Sequence, residues 1–150
     1  MAQRHFPVFM SNLLVGVWTL TSFELRTTRG DVSFPFGSDP AGLLVLTEDG
    51  YWSVQAMDTR RPLFTTGDVL GGTQEEQAAA TRGYVAYAGS YGIHGNRVVV
   101  NVRTSLFPNW VGQDQERFFS VEGDRLDLST RPLLAQGEER TAHLIWERIR

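Results

Sequence analysis

Residues 16–26 read Gly-Val-Trp-Thr-Leu-Thr-Ser-Phe-Glu-Leu-Arg, and strict alternation in an extended chain puts Ser22 and Glu24 on one face with Trp18, Leu20 and Arg26. A carboxylate on an inward, tryptophan-bearing face loses water. It is then suited to anchor a ligand carbonyl or hydroxyl, or to act as a general acid or base. Glu24 is the first candidate for moving a proton, and an arginine such as Arg103 or Arg117 would offset its desolvation through a bidentate bond. The same alternation groups Ser53 and Gln55 with Tyr51 and Met57. It groups Tyr87 and Tyr91 across Gly89, leaving a gap between two phenols, and Asn101, Arg103, Ser105 and Phe107 on a fourth face. Tyr87 is the second proton-moving candidate. Trp110, in Pro108-Asn109-Trp110-Val111-Gly112, carries a large apolar face with a polar tip, suited to gating a pocket or to plugging a core. The plainer alternative for Ser22, Glu24 and Arg103 is a structural ion pair, or a register that turns them to solvent.

Composition removes other chemistries. The chain has no cysteine, and its 14 cationic residues are all arginine, so disulfides, thiolate metal sites and lysine Schiff bases are excluded. His94 sits in a turn signal, His5 lies near the start, and His143 shares the Ile145 face, as an outward residue or as an axial haem ligand. Three scattered histidines do not make the roughly four convergent ligands of a structural metal, so no metal and no cofactor are expected. No serine or threonine has the context of a nucleophile elbow. A formal net charge of −3 without basic clusters argues against nucleic acid as a partner. No run approaches about 18 apolar residues and none has signal-peptide character, so no membrane partner and a cytoplasmic location are expected.

These side chains need elements to hold them. The 150 residues suit a single domain, 1–150, with 1–12 as a loose N-terminal arm. Alternating or apolar runs at 16–28, 42–47, 51–57, 84–93, 97–107, 113–121, 125–130 and 139–149 predict eight strands. Turn signals such as Asp49-Gly50, Gly95-Asn96 and Gly123-Asp124 separate them. Thr73-Gln74-Glu75-Glu76 reads as a capping box before an alanine-rich helix ended by Gly83. The 58–72 stretch before it reads as a lid or binding loop. The predicted fold is all-β: an eight-stranded antiparallel up-and-down barrel with one short helix between strands three and four.

Leu14-Val15-Gly16-Val17-Trp18-Thr19-Leu20, Phe34-Pro35-Phe36-Gly37, Thr47-Glu48-Asp49-Gly50-Tyr51, Tyr87-Ala88-Gly89-Ser90-Tyr91, the Ser105 to Gly112 run and closing Trp146-Glu147-Arg148 resemble the bacterial and fungal lipocalin-like domain proteins. The resemblance spans nearly the whole chain. It implies a calycin-type barrel with a pocket for a small hydrophobic molecule, and Trp18 closing the floor with Arg148 packed on its ring. The helix departs from the usual lipocalin plan, in which it follows the last strand.

Two functions follow. One is binding of a small hydrophobic or aromatic molecule by Trp18, Ser22, Glu24, Ser53, Gln55, Tyr87, Tyr91, Arg103 and Trp110. The other is a cofactor-independent isomerase or cyclase acting on a natural-product intermediate, with Glu24 or Tyr87 moving the proton. Monomer and homodimer both remain open, as does a barrel filled by its own side chains.

Overall fold

The structure is a computed structural model that describes residues 13–150, so the predicted arm at 1–12 lies outside the described residues. Its strands are β1 (Gly16–Thr27), β2 (Val32–Ser33), β3 (Ala41–Leu46), β4 (Tyr51–Met57), β5 (Tyr84–His94), β6 (Arg97–Ser105), β7 (Asp114–Glu122), β8 (Arg125–Ser129), β9 (Leu133–Ala135) and β10 (Glu138–Arg148). The helix is α1 (Gln74–Arg82), and Pro108–Trp110 forms one 3₁₀ turn. Each long strand pairs antiparallel with the next, in the order β1-β3-β4-β5-β6-β7-β8-β10, and β10 pairs back onto β1. That ring is the expected closed, eight-stranded barrel. Closure leaves no long unpaired edge.

The two extra strands sit at one end. β3 pairs with the first half of β1, and β2 takes the same edge at Leu25 and Arg26. β8 pairs with the second half of β10, and β9 takes its start, at 138–140. Because β2 is counted, the helix lies after β4, not between strands three and four. The helix is otherwise formed as its sequence demands. Thr73 Oγ1 accepts from the Glu76 N–H at 3.1 Å while the Glu76 carboxylate accepts from the Thr73 N–H at 2.9 Å. A second Glu76 oxygen accepts from the Thr65 N–H, tying the preceding loop to the helix. These backbone donors, led by Thr73, hold the Glu76 carboxyl below its usual range.

Two bulges set which side chains face inward. In β1, Leu20 opposes Trp146 but Ser22 opposes Ile145, so Thr21 is an extra residue whose hydroxyl donates to the Ile145 carbonyl at 3.0 Å. Past that point parity reverses: Trp18 and Leu20 point in, then Phe23 and Leu25. In β6, Thr104 opposes Ala88 but Val102 opposes Gly89, which leaves Arg103 as the extra residue. Gly89 is required at that step, because a Cβ there would lie 1.8 Å from the Asn101 carbonyl oxygen. The space beside Gly89 is therefore filled by the neighbouring strand and is no gap between phenols.

One end of the barrel is closed by Trp18, which is fully buried. Its indole N–H donates to the Leu14 carbonyl oxygen at 3.0 Å, and the Arg148 guanidinium carbon lies 4.2 Å from its ring centroid. Arg148 also donates from Nη1 to the Val15 carbonyl at 2.8 Å and from Nη2 to the Leu13 carbonyl at 2.6 Å. Gly16 makes room for it: a Cβ at that positive-φ position would sit 2.9 Å from Arg148 Nη1.

The cation-π contact and two charge-assisted bonds together are worth about 2–4 kcal/mol. Arg148→Ala is accordingly expected to lower the melting temperature by roughly 5–10 °C while the barrel stays folded. Thermal melts followed by circular dichroism check this, and an unchanged midpoint would remove the floor contact from the fold's supports.

Candidate ligand-binding site

Above that floor the barrel is not filled. A cavity of about 270 Å³ runs toward the end where β2 and β9 lie, just below the roughly 300–1,000 Å³ typical of pockets for drug-sized ligands. Its inner wall is built by the inward residues of the long strands: Phe23 and Leu25 from β1, Trp52, Val54 and Ala56 from β4, Val85 and Tyr87 from β5. Leu128 from β8 and Ala142, Leu144 and Trp146 from β10 complete it. Pro35, Arg82, Leu133 and Gln136 frame the mouth, where Arg82 and Gln136 are exposed. Gln136 and Gly137 both take positive φ, forming the tight turn between β9 and β10 that places Gln136 there.

Aromatic contacts fix the wall. Phe36 meets Phe23 edge-on at 5.0 Å, Trp52 stacks on Tyr87 at 6.1 Å, and Trp110 meets Tyr87 edge-on at 5.3 Å. Trp110 also packs edge-on against Phe107 at 5.6 Å. Trp110 is thus held in the wall near the rim, between the gate and the plug that its sequence context allows. Among the described residues, the indole N–H groups of two wall residues, Trp52 and Trp146, are buried without a hydrogen-bond partner.

The charged component is Arg117. It is the buried arginine of β7, 8% exposed, and its guanidinium carbon lies 5.5 Å from the Tyr87 ring and 5.7 Å from the Trp110 ring. Thr130 is the other buried polar residue of the wall, and its hydroxyl accepts from the Ala142 N–H at 2.9 Å. No aspartate, glutamate or histidine lines the cavity among the described residues.

Of the residues expected to form the site, Tyr87 and Trp110 line this cavity. Trp18 lies beneath it as the floor. Tyr91 points inward near the floor but lines no part of the cavity, and its hydroxyl donates to the Thr47 carbonyl at 2.7 Å. The Thr21 bulge turns Ser22 and Glu24 outward, where Glu24 pairs with Arg26 at 2.9 Å and stands opposite His143. A catalytic Glu24 inside the barrel is therefore corrected. Ser53 and Gln55 also face out, because Trp52, Val54 and Ala56 take the inward positions of β4, and Gln55 accepts from the Tyr84 hydroxyl outside. Arg103 bulges out of β6, 5.8 Å from the exterior Tyr51 ring. His143 sits on the outer face, and burial, followed by Arg26, lowers its pKa. The 58–72 loop contributes nothing to the cavity wall; the helix it leads into contributes Arg82.

Two signals in the sequence mark this arrangement. Apolar residues at 18, 20, 23 and 25 change parity between 20 and 23, as a bulge requires. Arg117 shares alternation with Phe119 and Val121, so an arginine on an apolar face was visible in β7.

A family model described as a lipocalin-like domain matches residues 15–149. The chain is 37% identical over 106 residues to the 4'-hydroxy-3'-methoxypropiophenone carrier protein of Aspergillus oryzae, a match covering 65% of this chain and 96% of that protein. Among solved structures, a lipocalin-like protein from Bacteroides uniformis is similar at a TM-score of 0.47 and 12% identity, covering 91% of this chain and 99% of that one. A fatty acid transporter is similar at a TM-score of 0.41 and 14% identity, covering 91% of this chain and 96% of that one.

Burial, with a smaller effect of the Asp49 charge, raises the Tyr91 phenol above its ordinary value of 10.0. Since the folded state favours the neutral phenol, this contribution is complete below pH 10 and is lost as pH rises through the raised pKa. Melts between pH 8.5 and 11 are expected to fall more steeply for the wild type than for Tyr91→Phe. Tyr91→Phe itself costs about 1 kcal/mol at pH 7 through the lost bond to Thr47.

Proposed function

The chain belongs to the lipocalin-like domain family, and from that premise we propose that it binds one small, largely apolar aromatic molecule inside its barrel, as a carrier. The observation that carries this reading is the cavity of about 270 Å³, walled by Phe23, Phe36, Trp52, Tyr87, Trp110 and Trp146 with aliphatic residues between them. A ring system burying on the order of 150 Å² there gains about 4 kcal/mol from transfer alone. The Aspergillus oryzae relative is named as a carrier of a substituted single-ring aryl ketone. By that similarity, the cargo of this chain is a single-ring aromatic of comparable size. The indole N–H groups of Trp52 and Trp146 and the hydroxyl of Tyr87 are donors available to orient its oxygen atoms.

An isomerase or cyclase in the same cavity would need a group to take a proton from carbon. Tyr87 supplies a hydroxyl, but no carboxylate or imidazole stands in the wall among the described residues, and Glu24 lies outside. Binding without chemistry is the better-supported reading.

The neutral fluorophore N-phenyl-1-naphthylamine is expected to bind with one site per chain, its emission rising as it leaves water. Ala142→Leu, which puts a larger side chain into the cavity from β10, is expected to weaken that binding by about tenfold or more while the protein still melts cooperatively. Equal binding by Ala142→Leu would place the fluorophore outside the barrel and remove this reading.

A further inference from the structure

Arg117 poses a problem that the apolar wall does not. A guanidinium buried to this degree in a cavity costs free energy unless its charge and its N–H donors are met. Among the described residues, Arg117 makes one hydrogen bond, from Nη1 to the carbonyl oxygen of its neighbour Glu116, at 2.8 Å. The carboxylate of Glu116 faces the other way, onto Arg131 and Arg97, and its bonds to Arg131 first and then to Arg97 hold its carboxyl below the usual range. The rings of Tyr87 and Trp110 stand near the guanidinium carbon but offer no acceptor to its N–H groups.

What stays unused is the Nε–Nη2 edge. This protein uses the same edge elsewhere in the way an arginine favours. Arg125 reaches both Asp127 oxygens from Nε and Nη2 at 2.9 and 3.5 Å, and Arg150 reaches both Asp124 oxygens at 3.1 and 2.6 Å. Among the described residues no carboxylate lines the cavity to answer it, and the other charged residue of the wall, Arg82 at the mouth, is also cationic. The charged residues of the lining, among the described residues, are therefore both cationic, one at the mouth and one buried in the wall.

We propose that the ligand is an aromatic carboxylate, whose ring occupies the apolar wall and whose two oxygens take the Nε–Nη2 edge of Arg117. This rests on the carrier reading above and narrows it to an anionic ligand class. Planar, two-pronged donors match a carboxylate better than a single carbonyl or ether oxygen. A neutral ligand would offer that edge an acceptor without the opposite charge. Arg82 attracts the same sign of charge at the entrance, so entry and seating favour the same ligand.

The test compares two probes of matched shape, 4-phenylbutanoate and its neutral amide, 4-phenylbutanamide, by displacement of N-phenyl-1-naphthylamine and by calorimetry at pH 7. The wild type is expected to prefer the carboxylate by about tenfold or more, as a charge-assisted fork in a dry site implies. Arg117→Gln and Arg117→Met are expected to reduce that ratio to near one, mainly by losing the carboxylate. Near-ultraviolet circular dichroism establishes that the variant compared is folded. If Arg117→Gln does not fold, Arg117→Lys keeps the charge without the fork and is expected to lose most of the preference.

Equal binding of the two probes by the wild type overturns the proposal, and so does a carboxylate preference that survives the loss of Arg117. If the fluorophore binds but neither probe displaces it, the carrier reading stands and the carboxylate proposal falls. If neither the fluorophore nor either single-ring probe binds by calorimetry, the carrier reading fails and this proposal fails with it.

Discussion

Strands β1 and β10 meet along nearly their whole length, from Trp18 opposite Arg148 to Thr27 opposite Arg140, and this pairing turns an open sheet into a ring. A ring of eight strands has an inside that is narrow enough for side chains to fill or wide enough to hold one small ligand. Which of these occurs depends on the residues that the β1–β10 seam turns inward. The extra residue Thr21 changes the parity of β1 midway, so that Phe23 and Leu25 face Leu144 and Ala142 in the upper barrel. Without that step, Ser22, Glu24 and Arg26 would line the interior. With it, β1 turns Phe23 and Leu25 inward, and Glu24 and Arg26 lie outside.

The two ends of the ring are then built for different tasks. At the floor, Trp18, Leu14 and Arg148 satisfy one another, with ring, carbonyls and guanidinium all engaged. At the mouth, β2 and β9 pair only with the ends of β1 and β10, and short turns bring Pro35, Leu133 and Gln136 around an opening. Arg117 contrasts with Arg148: both are cations against aromatic rings, but Arg148 donates to two backbone carbonyls, whereas Arg117 donates, among the described residues, to the carbonyl of its neighbour Glu116 alone. On the proposal above, that difference is what makes Arg117 the ligand's partner and Arg148 a support of the fold.

The fold was legible in the sequence to a large extent, since closed barrels are specified by repeated local signals. Alternating runs broken by Asp49-Gly50, Gly95-Asn96 and Gly123-Asp124 marked the strands, and Thr73 with Glu76 marked the helix start. The short strands β2 and β9 were not legible, because three or fewer residues carry no periodicity. The site was read less well, for one physical reason. Face assignment depends on strict alternation, and a single bulged residue inverts every assignment after it. That inversion displaced Ser22 and Glu24; in β6 the bulge put Arg103 itself outside. Ser53 and Gln55 failed differently, since polar type was weighed above the apolar Trp52-x-Val54-x-Ala56 face beside them. Tyr87 survived because β5 keeps its alternation through Tyr87, and Trp110 because its bulk and loop position were read without parity.

A barrel that carries cargo and one that only packs its own core differ in where a small apolar molecule goes. The most direct measurement is a methyl-resolved ¹H–¹³C spectrum of the protein, recorded with and without saturating N-phenyl-1-naphthylamine. Cargo inside the barrel should shift the methyls of Ala56, Leu128 and Ala142, which line the cavity, and leave Leu43, on the outer face of β3, in place. Shifts confined to Leu43 or to the exposed Leu63, Val69 and Leu70 of the long loop would contradict an interior site and with it the function assigned to this cavity.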